Sequence, residues 1–251
     1  MIIRTDLICD IGCVRQNNED MILLDGELYR DKSAENKYEL TDNARFMAIV
    51  ADGMGGHNGG EVASEVALKS FTDFLYNLSA NLDEHEIVSQ IKNWTQIAHN
   101  YIIKSGYKNE NLQGMGATFC GIMFYEKMIF SLNIGDSRLY RFRDGVLKQL
   151  STDHSMRGLT GDNSVPNNII YNSLGADNEA FIDIRNITEQ IFDNDIFLIC
   201  SDGLSDMVSD DEVENLLSQN GPAKILVEKA KDAGGKDNIS VIVLNISYMK
   251  N

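Results

Sequence analysis

The sequence predicts an α/β protein of the α+β kind, with helices covering the faces of β-sheet layers. Three observations carry this expectation. Helical periodicity is confined to two blocks, near residues 60–101 and 210–233. The stretch between them is rich in short β-prone runs. The two kinds of element do not alternate strictly, as a doubly wound parallel sheet would require. With 43% hydrophobic and 24% charged residues and only two prolines, the 251-residue chain has the composition of an ordinary globular protein. No internal repeat or linker interrupts it, so one domain over 1–251 is expected.

Taken in order, Ile2–Leu7 and Met21–Leu24 read as strands on either side of a polar turn, Gln16–Asp20. The polar stretch Glu27–Arg45 reads as an elaborated hairpin tip. Phe46–Ala51 is a continuous apolar run, the pattern of a buried strand, and it stops at Asp52-Gly53. From Gly60 the period becomes helical: Ala63, Ala67, Phe71, Phe74 and Leu78 share one face. A second helix follows with Ile87, Ile91, Trp94, Ala98 and Tyr101 on its apolar stripe. Thr118–Tyr125, Met128–Ile134, Arg138–Phe142 and Ile196–Cys200 are β-rich runs between Gly, Asp and Lys signals. Two helices return at Asp210–Leu217, with an acidic first turn, and at Pro222–Ala233, bounded by proline and Gly234-Gly235. Ile239–Ile246 closes as a strand. The turn-rich Ser155–Asn168 stretch is the candidate flap, at about 155–170.

Twenty-two basic residues against 38 acidic give a formal net charge of -16. Such a surface repels phosphate backbones and anionic lipid, so neither nucleic acid nor membrane is expected as a partner. Cys9, Cys13, Cys120 and Cys200 are few, and three of them sit beside apolar residues, which suits a reducing compartment. The N-terminus has too short an apolar run for a signal peptide, and a cytoplasmic protein is expected.

The chemistry lies in acidic residues that recur at the ends of apolar runs. Asp20 ends Asn18-Glu19-Asp20, Asp52 lies in Ala51-Asp52-Gly53, and Asp136 in Gly135-Asp136-Ser137-Arg138. Asp202 lies in Ser201-Asp202-Gly203, and Asp237 in Gly235-Lys236-Asp237-Asn238. Carboxylates and backbone carbonyls are the hard oxygen ligands that Mg²⁺ and Mn²⁺ prefer, and an adjacent glycine lets backbone approach an ion. Singly, each Asp-Gly corner is more often a turn.

Together, in this order and spacing, the corners resemble the metal-dependent protein serine/threonine phosphatases, the type 2C or PPM family, especially its short bacterial members. The likeness is carried nearly end to end, by Thr5-Asp6, Gly12–Arg15 and Asn18–Asp20, then Val50–His57 with Gly60-Glu61, then Gly114–Thr118. It continues through Gly135–Arg138, Asp153–Ser155, Cys200–Leu204 and Gly234–Asn238. The resemblance implies a central β-sandwich of two antiparallel sheets flanked by helices on both faces, in α-β-β-α layers. It implies hydrolysis of phosphoserine or phosphothreonine on proteins by a metal-bridging water, without a phosphoenzyme. The cofactors it implies are two Mg²⁺ or Mn²⁺ ions in the core site and a third, weaker one. Asp52 would bridge two ions, the Gly53 carbonyl would bind the second, and Asp202 and Asp237 would hold the first. Asp20 and Glu19 would act through water, Asp136 with Asp202 would hold the third ion, and Arg15 would grip the substrate phosphate. The partner implied is a phosphorylated protein, the target of a serine/threonine kinase, and the enzyme would be a monomer.

The chain departs from the pattern at two places. Met54 stands where many eukaryotic members have a histidine, so His57 is the expected participant in proton transfer, a structural role being its alternative. The segment between Asp153 and Gly175 is shorter than in bacterial relatives, with Gly158, Gly161 and Pro166 in place of a helical flap. Two other readings compete. Cys9 and Arg15 have the Cys-x5-Arg spacing of cysteine-dependent phosphatases, although Asp10 beside the thiol would raise its pKa and repel phosphate. A non-catalytic phosphoprotein-binding or partner-switching module on the same fold would be expected to have lost one of Asp52, Asp202 and Asp237.

Overall fold

The computed structural model describes residues 1–55, 59–161, 165, 169–176, 179–219 and 221–248. Its first half runs β1 (Ile2–Asp10), β2 (Met21–Leu24), β3 (Glu27–Tyr29), β4 (Lys32–Glu39), β5 (Arg45–Ala51), β6 (Gly53–Met54), α1 (Gly59–Asn77) and α2 (Glu84–Lys108). Then come β7 (Gly116–Ala117), β8 (Phe119–Tyr125), β9 (Met128–Ile134), β10 (Arg138–Arg143), β11 (Val146–Gln149), α3 (Met156–Thr160) and β12 (Asp183–Asn186). The chain ends with β13 (Ile196–Cys200), α4 (Asp202–Ser205), α5 (Asp210–Ser218), α6 (Ala223–Asp232) and β14 (Ile239–Ser247).

Two six-stranded sheets form, in the orders β11-β10-β13-β14-β1-β4 and β12-β9-β8-β5-β2-β3, while β6 and β7 pair separately. Their ladders are antiparallel. Successive side chains of a strand point to opposite faces, so a strand between two apolar layers must be apolar throughout. β5 obeys this rule. Phe46, Ala48 and Val50 face the other sheet among Ile3, Leu7, Ile242 and Leu244. Met47, Ile49 and Ala51 face α1 and α2 among Ala63, Phe71, Ile91 and Trp94. A third apolar layer joins Tyr140, Leu198, Val241 and Val243 to Leu204, Val213, Leu217 and Leu226 beneath α4, α5 and α6. Three apolar layers between four layers of elements give the expected α-β-β-α sandwich.

Local signals explain the helix that begins most sharply. Asp83 Oδ1 accepts the Glu86 N–H at 2.8 Å while Glu86 Oε2 accepts the Asp83 N–H at 2.9 Å. This reciprocal cap satisfies two otherwise orphaned donors at the start of α2.

Three expectations need correction. The supposed hairpin tip contains a full strand: β4 pairs along β1 from Ile2↔Glu39 to Cys9↔Lys32. Its polar alternation hid it, because it is an edge strand that puts only Ala34, Asn36 and Tyr38 toward the core. On α2 the apolar stripe drifts, leaving Tyr101 59% exposed and Ile102 fully buried. In the flap, glycines do not exclude a helix: α3 is capped by Ser155, whose Oγ accepts the Gly158 N–H at 3.1 Å, and ends at Gly161 with φ +67°. Pro166 lies outside the described residues.

Candidate active site

The strand registers bring all five acidic corners to one end of the sandwich. Met21 pairs Ala51, so Asp20 and Asp52 leave their strands on the same side. Val50↔Cys120 and Phe119↔Ile134 carry that edge across to the 135–137 corner. In the facing sheet, Arg138↔Cys200 and Cys200↔Val241 set Asp202 beside the turn that bears Asp237, and Asp10↔Ile239 brings the 11–19 loop to the same edge.

Each corner is pinned by buried polar groups. The Asp52 N–H donates to Thr118 Oγ1 at 2.8 Å, and the Thr118 N–H donates to the Asp52 carbonyl at 2.8 Å. Thr118 Oγ1 also lies 2.8 Å from Ser137 Oγ, next to Asp136. Ser201 Oγ donates to Asp20 Oδ2 at 2.7 Å and accepts the Ser240 N–H at 3.0 Å. Asn238 Oδ1 accepts the Glu19 N–H at 2.8 Å, while its Nδ2 donates to the carbonyls of Ile11 and Asn17 at 2.9 and 3.0 Å. Gly53 is required at its position, since a Cβ there would meet the Gly60 carbonyl oxygen at 2.1 Å.

Burial and mutual repulsion hold the carboxyl groups of Asp20, Asp52, Asp136 and Asp202 above the usual carboxylate range. Burial is the largest cause in every case. It pushes Asp20 up to about 7, partly offset by the Ser201 hydrogen bond, and Asp136 up to about 8 with Asp202 adding to the rise. Asp202 is raised to about 6, with Asp237 and Asp206 contributing. Asp52 is raised by burial and then by Asp20, Asp202, Asp136 and Asp237. A set of acids that mutually oppose ionisation is poised to take up cations.

As they stand, the described residues present no group of three or more His, Cys, Asp or Glu side chains arranged to hold a metal ion. Their chemistry nevertheless fits a hard cation. The donor set is all oxygen, and Asp136 Oδ1 and Asp202 Oδ1 are buried with no hydrogen-bond partner among the described residues. Beside them lies a cavity of about 160 Å³ lined by Asp136, Asp202, Asp206, Ser155 and Arg157. The larger groove between β1 and α6, about 780 Å³, carries none of the five carboxylates.

The remaining candidates fall in different places. Arg15 sits half exposed at the cleft and donates from Nη2 to Asp237 Oδ2 at 2.7 Å. Glu19 packs its carboxyl against Gly60 at the start of α1. His57 lies outside the described residues. His154 is buried: the Gly135 N–H donates to its Nδ1 at 3.1 Å, and Nε2 lies 3.4 Å from Asp183 Oδ2, so it clamps the flap base to the end of β9. Burial lowers its pKa and favours the neutral ring. Cys9 is 1% exposed, and burial pushes its thiol up to about 12, which removes the thiolate that the Cys-x5-Arg reading needs. Sequence reasoning assigned no role to Thr118, Ser137, Ser201 and Asn238, although each lies in a segment that carries the family likeness.

The family model described as Protein phosphatase 2C matches residues 23–221. The serine/threonine phosphatase stp of Listeria welshimeri is 32% identical over 255 residues, covering 96% of this chain and 95% of that protein. Among solved structures, the serine/threonine phosphatase of S. agalactiae superposes with a TM-score of 0.79 at 25% identity, covering 98% of this chain and 100% of that one. The catalytic domain of the serine/threonine protein phosphatase PstP, solved in complex with two manganese ions, superposes with a TM-score of 0.75 at 27% identity, covering 99% and 100%.

Proposed function

The chain belongs to the protein phosphatase 2C family and is a metal-dependent protein serine/threonine phosphatase, and from that premise we propose how its residues divide the work. Asp52, the Gly53 carbonyl, Asp202 and Asp237 would together hold two divalent ions, Mg²⁺ or Mn²⁺, with Asp52 shared between them. Asp20 and Glu19 would act on those ions through water, and Asp136 with Asp202 would hold a third, weaker ion. When bound, such cations supply Lewis acidity, acidifying water and offsetting the charge of the phosphate dianion.

The protein's own groups do the rest. Arg15 offers a planar fork of donors that matches phosphate oxygens, and its half-exposed position leaves the guanidinium free to swing from Asp237 to a substrate. Thr118, Ser201 and Asn238 keep the carboxylate corners from relaxing apart. A phosphate brought to the cleft meets carboxyl groups whose charge must first be neutralised, so binding of anionic substrate depends on that neutralisation. His57 is assigned to proton transfer toward the leaving alkoxide. The substrate is a phosphorylated protein, the target of a serine/threonine kinase in the cytoplasm, and the enzyme works as a monomer; the relatives' names support the first of these and family analogy the others.

The observation that carries this reading is the convergence of five acidic corners at one end of the sandwich. Hydrolysis of p-nitrophenyl phosphate and of a phosphothreonine peptide tests it, with Mn²⁺ and then with EDTA, in wild type and Asp202→Asn. Activity that needs metal and vanishes in the variant is expected. Activity indifferent to EDTA, or retained by the variant, would overturn the assignment.

A further inference from the structure

Thr118 stands apart from the carboxylates yet controls the backbone of the one at their centre. Both polar backbone atoms of Asp52 end on this residue: the N–H on Oγ1 and the carbonyl on the Thr118 N–H, each at 2.8 Å. Thr118 is fully buried, as is Ser137, and their hydroxyls meet at 2.8 Å. With the Asp52 N–H occupying one lone pair of Thr118 Oγ1, the threonine proton is available for Ser137. The result is a continuous chain from the Asp52 corner, at the end of β5, to the Asp136 corner, at the end of β9. Behind it Gly135 lies close against the threonine methyl, since a Cβ there would meet Thr118 Cγ2 at 2.6 Å.

We propose that Thr118 is a positioning residue, whose hydroxyl, bridged to Ser137, fixes the Asp52 and Asp136 corners relative to each other and thereby sets the affinity of the cleft for divalent cations. The inference rests on the assignment of Asp52 as a cation ligand. Neither hydroxyl needs to touch substrate or ion. Supporting groups that orient ligands in this way typically change metal affinity by about 10- to 100-fold when lost. Valine matches threonine in shape and lacks only the hydroxyl. Serine keeps the hydroxyl and lacks only the methyl. The two substitutions therefore separate hydrogen bonding from packing.

The experiment is calorimetric titration of the metal-free protein with Mn²⁺, with no substrate present, for wild type, Thr118→Val, Thr118→Ser, Ser137→Ala and the Thr118→Val/Ser137→Ala pair. Thr118→Val is expected to weaken the tightest Mn²⁺ binding by about tenfold or more. Thr118→Ser should return to within about threefold of wild type. Ser137→Ala, on the far side of the bridge, should weaken the same binding, and the double variant should be no weaker than the sum of hydroxyl losses at one shared link allows, close to Thr118→Val alone. Should Thr118→Val fail to fold, Ser137→Ala with Thr118→Ser decides. Equal Mn²⁺ affinity in wild type and Ser137→Ala, or equal weakening by the valine and serine variants at position 118, overturns the proposal. A wild type that binds no Mn²⁺ would instead overturn the assignment of Asp52, and the proposal with it.

Discussion

Arg15 Nη2 and Asp237 Oδ2 lie 2.7 Å apart at the edge of the acidic cleft, so under the proposed assignment a substrate phosphate would compete with a cleft carboxylate for one guanidinium. The pair is open to water, with half of the arginine side chain and about a third of the aspartate exposed. An ion pair so exposed contributes little to folding, at most about 1 kcal/mol. Removing the arginine should therefore cost little stability. Arg15→Ala should raise KM for a phosphothreonine peptide by about 10- to 100-fold, the value of a charge-assisted hydrogen bond or two. Its Tm should stay within about 4 °C of wild type. Arg15→Lys should recover only part of the loss, because an ammonium cannot present the bidentate fork. An unchanged KM in Arg15→Ala would remove Arg15 from the phosphate site.

The carboxyl of Asp52 is raised by burial and by four neighbouring aspartates, and this repulsion is strain held in the metal-free fold. Asp52→Asn keeps the shape and removes the charge. In EDTA the variant should melt higher than wild type, while hydrolysis should fall by more than about 100-fold, beyond what loss of a merely supporting group produces. Thermal melts in EDTA and initial rates in Mn²⁺ check the two halves. A variant both less stable and inactive would mean that Asp52 is chiefly structural.

A pH dependence follows from the same groups. Asp20 at about 7 and Asp136 at about 8 lie above an unfolded carboxyl near 4, so between those values the folded, metal-free protein keeps protons that the unfolded chain has released. Stability must then fall as pH rises through that window. In EDTA the Tm should be higher at about pH 5.5 than at about pH 8. With saturating Mn²⁺ the trend should weaken or reverse, since cations bind the deprotonated acids. Melts at the two pH values, with and without Mn²⁺, give the sign directly.

The five acidic corners were legible in the sequence because each interrupts an apolar run beside a glycine or polar turn, and the antiparallel ladders needed only to be in register for them to meet. The layers were legible because β5 is apolar on both faces and α1 on one. β4 was not, since an edge strand protected by Lys32, Lys37 and Glu39 carries the composition of a loop. Thr118, Ser137, Ser201 and Asn238 stood inside the segments that carry the family likeness, but their supporting role was hidden. A buried hydroxyl at a strand end has the same local sequence as an exposed one, and only the pairing of distant strands decides which it is.

Cys9 tests the mechanism from the negative side. Its thiol is buried between Asn18 Nδ2 and Ser240 Oγ, each at 3.3 Å, and serine can replace it as acceptor and donor. Cys9→Ser should retain activity within about threefold, because the serine hydroxyl keeps both hydrogen bonds and no reacting group is removed. Iodoacetamide at neutral pH should label Cys13, the exposed thiol, well before Cys9, Cys120 or Cys200. Mass mapping of the labelled thiols and the rate of Cys9→Ser provide the check. Loss of activity specific to Cys9→Ser, insensitive to EDTA, would revive thiolate chemistry.

Asn238 holds the loop that carries Arg15 and Glu19, and it does so with groups that only an amide supplies. Its side-chain oxygen takes the Glu19 N–H, and its nitrogen serves the carbonyls of Ile11 and Asn17, all while 4% exposed. Asn238→Ala strands one donor and two acceptors, at about 1 kcal/mol each, so a loss of about 2–4 kcal/mol in urea unfolding is expected. Asn238→Asp keeps the acceptor and discards both donations, adding a carboxylate two residues from Ser240 and beside Asp237. It should therefore match or exceed the alanine loss in EDTA, and Mn²⁺ should recover more stability for aspartate than for alanine. If the two variants respond alike to Mn²⁺, the residue acts through loop geometry alone and not through the charge of the cleft.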